Sequence, residues 1–337
     1  MTMSDYKLIN DIAQIQIESI KDHSSHNEPL VVVRCITYNH ELYIKDALEG
    51  FVSQKTTFPF IVIVHDDASN DKTASIIKEY AERFPEIILP IIEENNQYSL
   101  HNGSLGKILR AAVDSTGAKY VAMCEGDDYW TDPDKLQMQV DFLESHPDYS
   151  MCCHRVDVLN ENTGNIDTGC TEISDRDYDH CDIQGKLSIP TCSTVLRTEC
   201  LLNMPQDNDF IVGDNVLWAT CRSMGKVRGF EKSMGVYRRV ESGWTAQTTH
   251  LDKERYYKLQ LSWIKHYEAM KRYFPTVDRN IFDNLICEYQ ACVTYVDLIK
   301  YHSNLFPHFK QFFGDYRGKY LSALIKLVAK SISQKLR

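Results

Sequence analysis

The sequence predicts an α/β fold built on a mostly parallel sheet with helices on both faces. Three observations lead to this class. Short runs of apolar and β-branched residues recur along the first half of the chain, amphipathic segments lie between them, and the runs are too continuously apolar for strands that face solvent. Strands and helices that alternate in this way form βαβ units with parallel strands.

The predicted elements follow in order from residue 30. The strand segments are LVVVRCITY (30–38), FIVIVHD (60–66), EIILPII (86–92) and KYVAMC (119–124), and the helices between them are 41–54, 71–84 and 104–115. A further helix is expected after residue 130, with Thr131 or Asp132 as its N-cap and Pro133 at its first position.

The chain of 337 residues is long enough for one large domain with a substantial appendage. We expect a lead-in over residues 1–28 that is loose or helical, a main domain over 29–248, and a helical, aromatic-rich region over 249–337.

Composition narrows the classes of function. Asp and Glu number 47 against 37 Lys and Arg, a formal charge of -10, so we expect no nucleic-acid partner. None of the eleven cysteines falls in a C-x-x-C pair, and no stretch approaches 18 uninterrupted apolar residues. The start, MTMSDYKLINDIAQ, lacks the features of a signal peptide. A reducing, cytoplasmic location is therefore expected.

Polar residues follow three of the predicted strands directly. Ligands of open parallel sheets bind beyond the carboxyl ends of the strands, so these residues are the first candidates for a binding site. They are Thr37, Tyr38 and Asn39 after the first strand, Asp66 and Asp67 after the second, and Glu125, Asp127 and Asp128 after the fourth.

The acids of EGDDYW (125–130) suit a divalent ion. Carboxylates on a turn are ligands for Mg²⁺ or Mn²⁺, which keep several waters and are completed by substrate phosphates. The alternative is that Asp127 and Asp128 cap the next helix and face solvent. The second acidic strand end, Asp66-Asp67, favours the site, because two carboxylate clusters at one edge repel unless a cation lies between them.

Three segments together resemble the signature segments of the family 2 glycosyltransferases, which have the GT-A fold. They are ITYNHELYI, IVIVHDDASNDKT and MCEGDDYWTDPDKLQMQ, and the resemblance covers residues 30 to 245. It implies a nucleotide-diphospho-sugar donor (a UDP-sugar is favoured), Mn²⁺ or Mg²⁺, and inversion at the anomeric carbon. It also implies a nucleotide-binding part at 29–130, an acceptor part at 131–248, and a glycan or lipid-linked acceptor from the assembly of a bacterial surface polysaccharide such as O-antigen, capsule or exopolysaccharide.

Carried over position by position, the resemblance assigns roles to the strand ends. The nucleoside is bordered by Thr37, Tyr38 and Asn39, with Glu41 beside them. Asp66 hydrogen-bonds the base, with Asp67 as its neighbour in the turn; Asp127 contacts ribose or sugar hydroxyls, and Asp128 binds the metal. For the Asp66–Ser69 segment the alternative is a turn and helix cap, although Asp71 could provide the cap by itself.

The resemblance also implies cations at the donor and a general base. Lys107 or Arg110 would approach a phosphate; the alternative is a solvated helix face for each. In FIVGDNVLWATCRSMG the base is Asp214, with Gly213 where Glu is more usual in the family. Asp214 could instead be only the N-cap of a helix over Asn215–Arg222.

The segment GVYRRVESGWTA resembles the loop that closes over the diphosphate in the family. Arg238, Arg239 and Trp244 fit this loop. Val240 stands where His is common, so any metal or phosphate contact made by that His must be absent here or come from Arg239.

The last twenty residues, GKYLSALIKLVAKSISQKLR, predict a basic amphipathic helix. From Lys300 onward there are eight Lys or Arg and one acid, Asp315. Such a helix can lie on an anionic membrane, which would place the protein at the cytoplasmic face of the inner membrane. The alternative is a terminal helix that packs its apolar face on the main domain.

Two other functions compete with the transferase. A sugar nucleotidyltransferase would need a Gly-rich, basic phosphate loop after the first strand, and TYNHELY has neither feature. A degenerate nucleotide-sugar binding module predicts loss of Asp128 or Asp214, and both are present.

Overall fold

The computed structural model describes residues 9–168, 173–184, 188–240 and 251–300. Within this part of the chain the strands form one mixed sheet in the order β3-β2-β1-β4-β9-β6-β10-β5, with β7 paired to β6 and β8 to β10. The strands are β1 Val31–Thr37, β2 Phe60–Asp66, β3 Ile88–Ile92, β4 Tyr120–Met123, β5 Tyr129–Trp130, β6 Tyr149–Asn160, β7 Asn165–Asp167, β8 Asp177–Tyr178, β9 Val195–Arg197 and β10 Lys226–Arg239.

Helices flank this sheet and continue after it, which confirms the predicted α/β class with a helical C-terminal region. The described helices are α1 Asp11–Asn27, α2 Ile44–Val52, α3 Thr73–Arg83, α4 Ser104–Ser115, α5 Lys135–Ser145, α6 His180–Gln184, α7 Thr198–Leu202, α8 Gly213–Met224, α9 Lys253–Tyr273 and α10 Arg279–Lys300.

One half of the sheet is parallel and brings the three polar strand ends to one edge. β1 pairs in parallel with β2 on one side and with β4 on the other, and β2 pairs in parallel with β3. Every residue of β2 and β4 is buried, as expected for continuous apolar runs covered on both faces. The register places Thr37 opposite Asp66, so both chains leave the sheet at the same level.

The other half of the sheet mixes directions. β9 is antiparallel to both β4 and β6, while β10 is parallel to β6. The β6–β10 register shifts between Phe230 and Val236, so β10 is irregular in its middle. Beyond this irregularity the backbone N–H of Arg238 donates to Asp128 Oδ1 at 2.8 Å, which joins the end of β10 to the acidic turn.

The described part of the lead-in segment is mostly the helix α1, which contacts the edge strand β3. Asn10 caps α1 by accepting from the Ala13 N–H at 2.7 Å. Gln16 pairs with the backbone of Ile92: its Oε1 accepts from the Ile92 N–H at 2.8 Å and its Nε2 donates to the Ile92 carbonyl at 3.4 Å. The side chain thus occupies groups that an additional strand would otherwise bind.

Two predicted helix starts were wrong. α5 begins at Lys135 rather than at Pro133, because Asp132 Oδ1 accepts from the Asp134 N–H at 2.9 Å and the Pro133 carbonyl accepts from the Lys55 N–H at 2.8 Å. These bonds hold the segment as a turn. α8 begins at Gly213, so Asp214 lies within its first turn and is not the N-cap of a helix that starts at Asn215.

The chain divides into two compact units. Unit 1 comprises 1–179, 187–204 and 220–239 and contains the sheet; unit 2 comprises 180–186, 205–219 and 240–337. Within unit 2, α9 packs along α10, and the Trp263 ring stacks on the rings of Tyr267 and Tyr289 at 5.6 and 5.4 Å. None of the helices in the described ranges is long and apolar enough to cross a membrane. Trp244 and the basic tail lie outside the described residues.

Candidate active site

The ends of β1, β2 and β4 meet in direct contact. The Asp67 N–H donates to the Thr37 carbonyl at 3.0 Å, and the Gly126 N–H donates to the Ile36 carbonyl at 2.9 Å. A Cβ added to Gly126 would lie 2.8 Å from Thr37 Cβ and Oγ1, so only glycine fits this approach of the two strand ends.

The loop after β1 is tied to the loop after β2 through backbone amides. Asn39 has a left-handed backbone (φ 55°); its N–H donates to Ser69 Oγ at 2.8 Å and its Oδ1 accepts from the Asn70 N–H at 2.8 Å. Glu41 Oε2 accepts from the Lys72 N–H at 3.0 Å. Tyr38 is 43% exposed, which leaves its ring available to a ligand.

Asp66 is buried at the end of β2 and shapes the following turn. Its Oδ2 accepts from the Ser69 N–H at 3.1 Å, and its Oδ1 accepts from the Ser69 hydroxyl. Burial raises the pKa of Asp66, and the bonds from Ser69 oppose that rise. Asp71 Oδ1 accepts from the Thr73 N–H at 2.9 Å, so Asp71 binds the first N–H of α3 from the position before the N-cap residue, Lys72.

Asp67 is buried as well and organises the loop after β3. Its Oδ1 accepts from the Gln97 N–H at 2.6 Å and its Oδ2 from the Tyr98 N–H at 3.1 Å. Sequence reasoning treated Asp67 as a neighbour of Asp66; the structure shows that its carboxylate joins the loops after β2 and β3.

Asp128 is the most constrained acid of the turn after β4. Its side chain is 2% exposed, and Oδ1 accepts from the Arg238 N–H. Burial raises the pKa of Asp128 well above its ordinary value, and the nearby charges of Asp127 and Glu125 raise it further. Glu125 Oε1 lies 3.7 Å from Arg34 Nη2, and this ion pair compensates part of the negative charge of the turn.

The acidic turn fits a divalent ion that is completed by its substrate. Among the described residues no three His, Cys, Asp or Glu side chains are grouped as a metal site. Mg²⁺ and Mn²⁺ do not require one, because they bind through one or two carboxylates plus phosphates and water. The excess negative charge around buried Asp128, with half-buried Asp127 beside it, suits such an ion.

Two uncharged polar groups lie near the acids: Thr37, which the sequence analysis named, and His40, which it missed. Thr37 Oγ1 and His40 Nδ1 are buried and have no hydrogen-bond partner within the described ranges. Burial lowers the pKa of His40, while the charges of Asp127, Asp71 and Asp66 oppose that change. His40 stands in the quoted segment TYNHELY, but nothing in the pattern indicated that the charges of these acids act on its ring.

Lys135 was also missed. It is fully buried, its Nζ donates to Gln139 Oε1 at 2.7 Å, and it lies 4.1 Å from the centre of the Trp130 ring. Burial lowers the pKa of Lys135 to about 8. The i,i+4 spacing of Lys135 and Gln139 was the available signal.

The sequence profile of glycosyl transferase family 2 matches residues 33–198, which include the ends of β1, β2 and β4. Residues 33–198 of this chain are thus a glycosyl transferase family 2 domain. An uncharacterized protein of Mycobacterium tuberculosis is 36% identical over 225 residues, which are 66% of this chain and 62% of that protein. The chain therefore spans less than two thirds of this relative.

Two solved structures share the fold. S. aureus TarS, in a crystal structure of residues 1–349 with UDP-GlcNAc, has a TM-score of 0.54 at 18% identity over 90% of this chain and 92% of that one. The mannosyltransferase PcManGT of Pyrobaculum calidifontis, in complex with GDP-Man and Mn²⁺, has a TM-score of 0.51 at 15% identity over 95% of this chain and 97% of that one. The likeness confirms the expected GT-A fold.

Arg238 is the first of the cations that the resemblance assigns to the donor site. The buried Arg238 guanidinium pairs with Asp46, lies 3.3 Å from Glu161, and lies over the rings of Tyr43 and Tyr129 at 5.1 and 4.8 Å. Its charge is thus paired with two carboxylates. Its backbone N–H is the group that binds the acidic turn.

The two cations of helix α4, Lys107 and Arg110, have different surroundings. Arg110 is half-buried, and its Nη1 donates to the carbonyls of Leu202 and Met204 at 3.2 and 3.0 Å, at the end of α7. Lys107 is half-buried, and Arg239 is exposed at the end of β10. A donor contact by either stays a prediction.

The predicted base, Asp214, belongs to unit 2. It is half-buried in the first turn of α8, next to Asn215, whose Oδ1 contacts the ring of His266. Its role in family 2 chemistry stays a prediction.

Proposed function

We propose that this protein is an inverting glycosyltransferase that moves a sugar from a nucleotide-diphospho-sugar to an acceptor hydroxyl. The observation that carries the proposal is the meeting of the ends of β1, β2 and β4 around buried Asp128, a carboxyl group whose pKa is raised by burial and by the charges of Asp127 and Glu125. Family membership supports the same reaction.

The donor would lie across the edge formed by these strand ends. The nucleoside is assigned to the side that carries Tyr38 and Asp66, with Thr37, Asn39 and Glu41 bordering it and Asp67 holding the loop after β3. A UDP-sugar is the favoured donor. The diphosphate is assigned to the acidic turn, with Lys107, Arg239 and Trp244 as candidate contacts, while Arg238 positions Asp128 through its backbone N–H.

Mn²⁺ or Mg²⁺ would be held by Asp128, with Asp127 toward ribose or sugar hydroxyls. The bound ion would offset the negative charge that builds on the departing nucleoside diphosphate. TarS with UDP-GlcNAc and PcManGT with GDP-Man and Mn²⁺ have the same fold and support this ligand class.

Asp214 would remove the proton from the acceptor hydroxyl as that oxygen attacks the anomeric carbon. A single in-line displacement breaks the bond to the diphosphate and forms the new glycosidic bond, which inverts the configuration. No covalent glycosyl-enzyme is needed in this scheme.

The acceptor is proposed to be a lipid-linked or growing surface glycan, reached at the cytoplasmic face of the membrane through the basic tail. Sedimentation with vesicles containing anionic lipid, compared with a chain that ends at residue 300, tests this part. Equal amounts of both chains on the vesicles would contradict a membrane role for the tail.

A thermal-shift screen tests the donor. UDP-, GDP- and dTDP-sugars are each added with and without Mn²⁺, and stabilisation by one donor that depends on the metal is expected, because a ligand that binds only the folded state raises the unfolding midpoint. If no donor changes the midpoint under either condition, the proposal fails.

Asp214→Asn tests the base. The amide keeps the size of the side chain but cannot take a proton, so turnover should fall at least about 100-fold while the donor still stabilises the variant. Loss of donor stabilisation as well would make Asp214 a structural residue.

A further inference from the structure

We infer that His266 is a positioning residue for the proposed base: helix α9 holds the segment 206–215, and His266 fixes the part of it that carries Asp214. The inference rests on the proposed function, because it gives Asp214 a catalytic task. All the contacts that follow lie within unit 2.

The His266 ring joins the two sides of Asp214. The Ile211 N–H donates to His266 Nδ1 at 3.3 Å, and His266 Nε2 lies 3.1 Å from Asn215 Oδ1. A backbone N–H can only donate, so Nδ1 must be the acceptor and the ring hydrogen must be on Nε2, which then donates to Asn215. Each ring nitrogen therefore has a partner, and the two partners lie three residues before and one residue after Asp214.

The surroundings of the ring maintain this tautomer. His266 is fully buried, and its ring contacts the edges of Phe210 and Trp263 at 5.7 and 5.3 Å. Burial lowers the pKa of His266 to about 4, so the ring is neutral near pH 7 and Nδ1 keeps its lone pair for the Ile211 N–H.

Helix α9 contacts the same segment again two turns later. Arg272 Nη2 lies 3.2 Å from Asp207 Oδ2 and 3.4 Å from Asp209 Oδ2, and the Tyr273 hydroxyl donates to the Gln206 carbonyl at 3.4 Å. Residues seven positions apart share a helix face, so His266 and Tyr273 contact the segment from one face of α9, and Arg272 reaches it from the side of that face. Exposed ion pairs contribute little, so of the contacts that α9 makes with this segment the buried His266 bonds are the stronger constraint.

The expected consequence is a selective loss of catalysis. A general base must lie within hydrogen-bond reach of the proton it takes, and a misplacement of about 1 Å can cost about 100-fold in rate. Loss of the His266 bonds should therefore lower kcat, while the donor, assigned to the strand ends of unit 1, binds as before.

The test compares three substitutions. His266→Phe keeps an aromatic ring and removes both bonds; His266→Asn keeps an acceptor near the Nδ1 position; Tyr289→Phe is the control, because it changes the same helix pair away from Asp214. With UDP-GlcNAc or GDP-mannose and Mn²⁺ as probes, His266→Phe should lower kcat at least tenfold with the donor KM within twofold, and His266→Asn should recover part of the loss. An unchanged kcat, or a kcat loss no larger than that of Tyr289→Phe, would overturn the inference.

Two measurements remain decisive if His266→Phe does not fold. Long-range ¹H–¹⁵N NMR of the wild-type ring should show the hydrogen on Nε2; a hydrogen on Nδ1 would overturn the proposed bonding. Hydrogen exchange of residues 206–215 should be at least tenfold faster in His266→Asn than in Tyr289→Phe, and equal rates would also count against the inference.

Asp214→Asn separates this inference from the proposed function. If Asp214→Asn is inactive and His266→Phe keeps full kcat, only the role of His266 fails. If Asp214→Asn keeps full kcat, the base assignment fails, and with it the catalytic consequence of His266. Metal-dependent donor stabilisation tests the transferase independently of both residues.

Discussion

At the scale of single residues, Asp128 shows how ligand binding and folding make opposite demands on one side chain. Its carboxylate is buried and its pKa is raised, first by burial and then by Asp127 and Glu125. The native state therefore keeps a proton that the unfolded chain releases at lower pH. The contribution of Asp128 to the free energy of unfolding therefore falls as the pH rises from the ordinary carboxyl pKa near 4 through the raised pKa of the native state.

Asp128→Asn should accordingly stabilise the fold and abolish metal-dependent donor binding. The amide oxygen can still accept from the Arg238 N–H, while the uncompensated charge is gone. We expect the free energy of unfolding at pH 7 to rise by roughly 1 kcal/mol, and the advantage to shrink as pH is lowered toward 4. Denaturant unfolding from pH 4 to 8 measures the difference in free energy of unfolding between the variant and the wild type. Asp127→Asn is the control, because Asp127 is only half-buried. A variant less stable than the wild type at pH 7 would contradict the explanation.

At the scale of elements, the contact between the ends of β1 and β4 depends on the absence of a side chain at residue 126. A Cβ there would lie 2.8 Å from the Thr37 side chain and 3.0 Å from Ile44 Cδ1. Gly126→Ala should therefore separate the two strand ends, lower stability by about 1–3 kcal/mol and weaken donor binding.

Gly106→Ala is the matched control for that substitution. A Cβ at Gly106 meets nothing within 4 Å, and the residue lies in α4, so alanine should stabilise the protein by about 0.5–1 kcal/mol. Urea unfolding and donor thermal shifts measure both variants. Equal effects of the two substitutions would show that the contact at β1 and β4 is unimportant.

The buried Lys135 of α5 gives a pH dependence at the alkaline end. Its pKa is lowered from 10.5 to about 8, so between these values the unfolded chain binds more protons and stability rises with pH. Lys135→Met should remove this rise, worth about 3 kcal/mol across the window by the linkage relation. Removing the buried charge should also stabilise the variant at pH 7. Loss of the contact with Trp130 and of the bond to Gln139 offsets part of that stabilisation. Unfolding of both proteins from pH 7.5 to 10.5 is the measurement, and parallel curves would refute the assignment.

Sequence patterns were sufficient to predict the elements whose structure is determined by their own residues. The runs that form β1, β2 and β4 are apolar and short, so their burial and the polar residues at their ends could be predicted. The start of α5 could not, because Pro133 is held outside the helix by Lys55, a residue far away in sequence. The surroundings of Arg238 could not be predicted for the same reason, because its pairing with Asp46 and Glu161 exists only once β10 lies in the sheet.

At the scale of the whole molecule, the division into units follows long-range contacts that sequence patterns do not contain. A boundary at residue 249 was expected where the helical region begins. In the structure, 180–186 and 205–219 group with the C-terminal helices. Gln184 Nε2 donates to the Asn215 carbonyl at 3.2 Å, and α9 supports the segment before Asp214. Unit 2 is thus assembled from three separate stretches of chain.

This assembly predicts that the chain cannot be shortened to residues 1–248 without damage. Removal of α9 would expose Phe210 and leave 206–215 without the bonds from His266 and Arg272, although the sheet of unit 1 remains complete. We expect hydrogen exchange over 205–219 to accelerate at least tenfold, and the shortened chain to aggregate on size-exclusion chromatography because apolar surface is uncovered. A chain that ends at residue 300 keeps α9 and α10 and is the control. If the 1–248 chain is monomeric and exchanges like that control, the segment folds without α9, and the boundary at 249 describes the protein better than the division into two units.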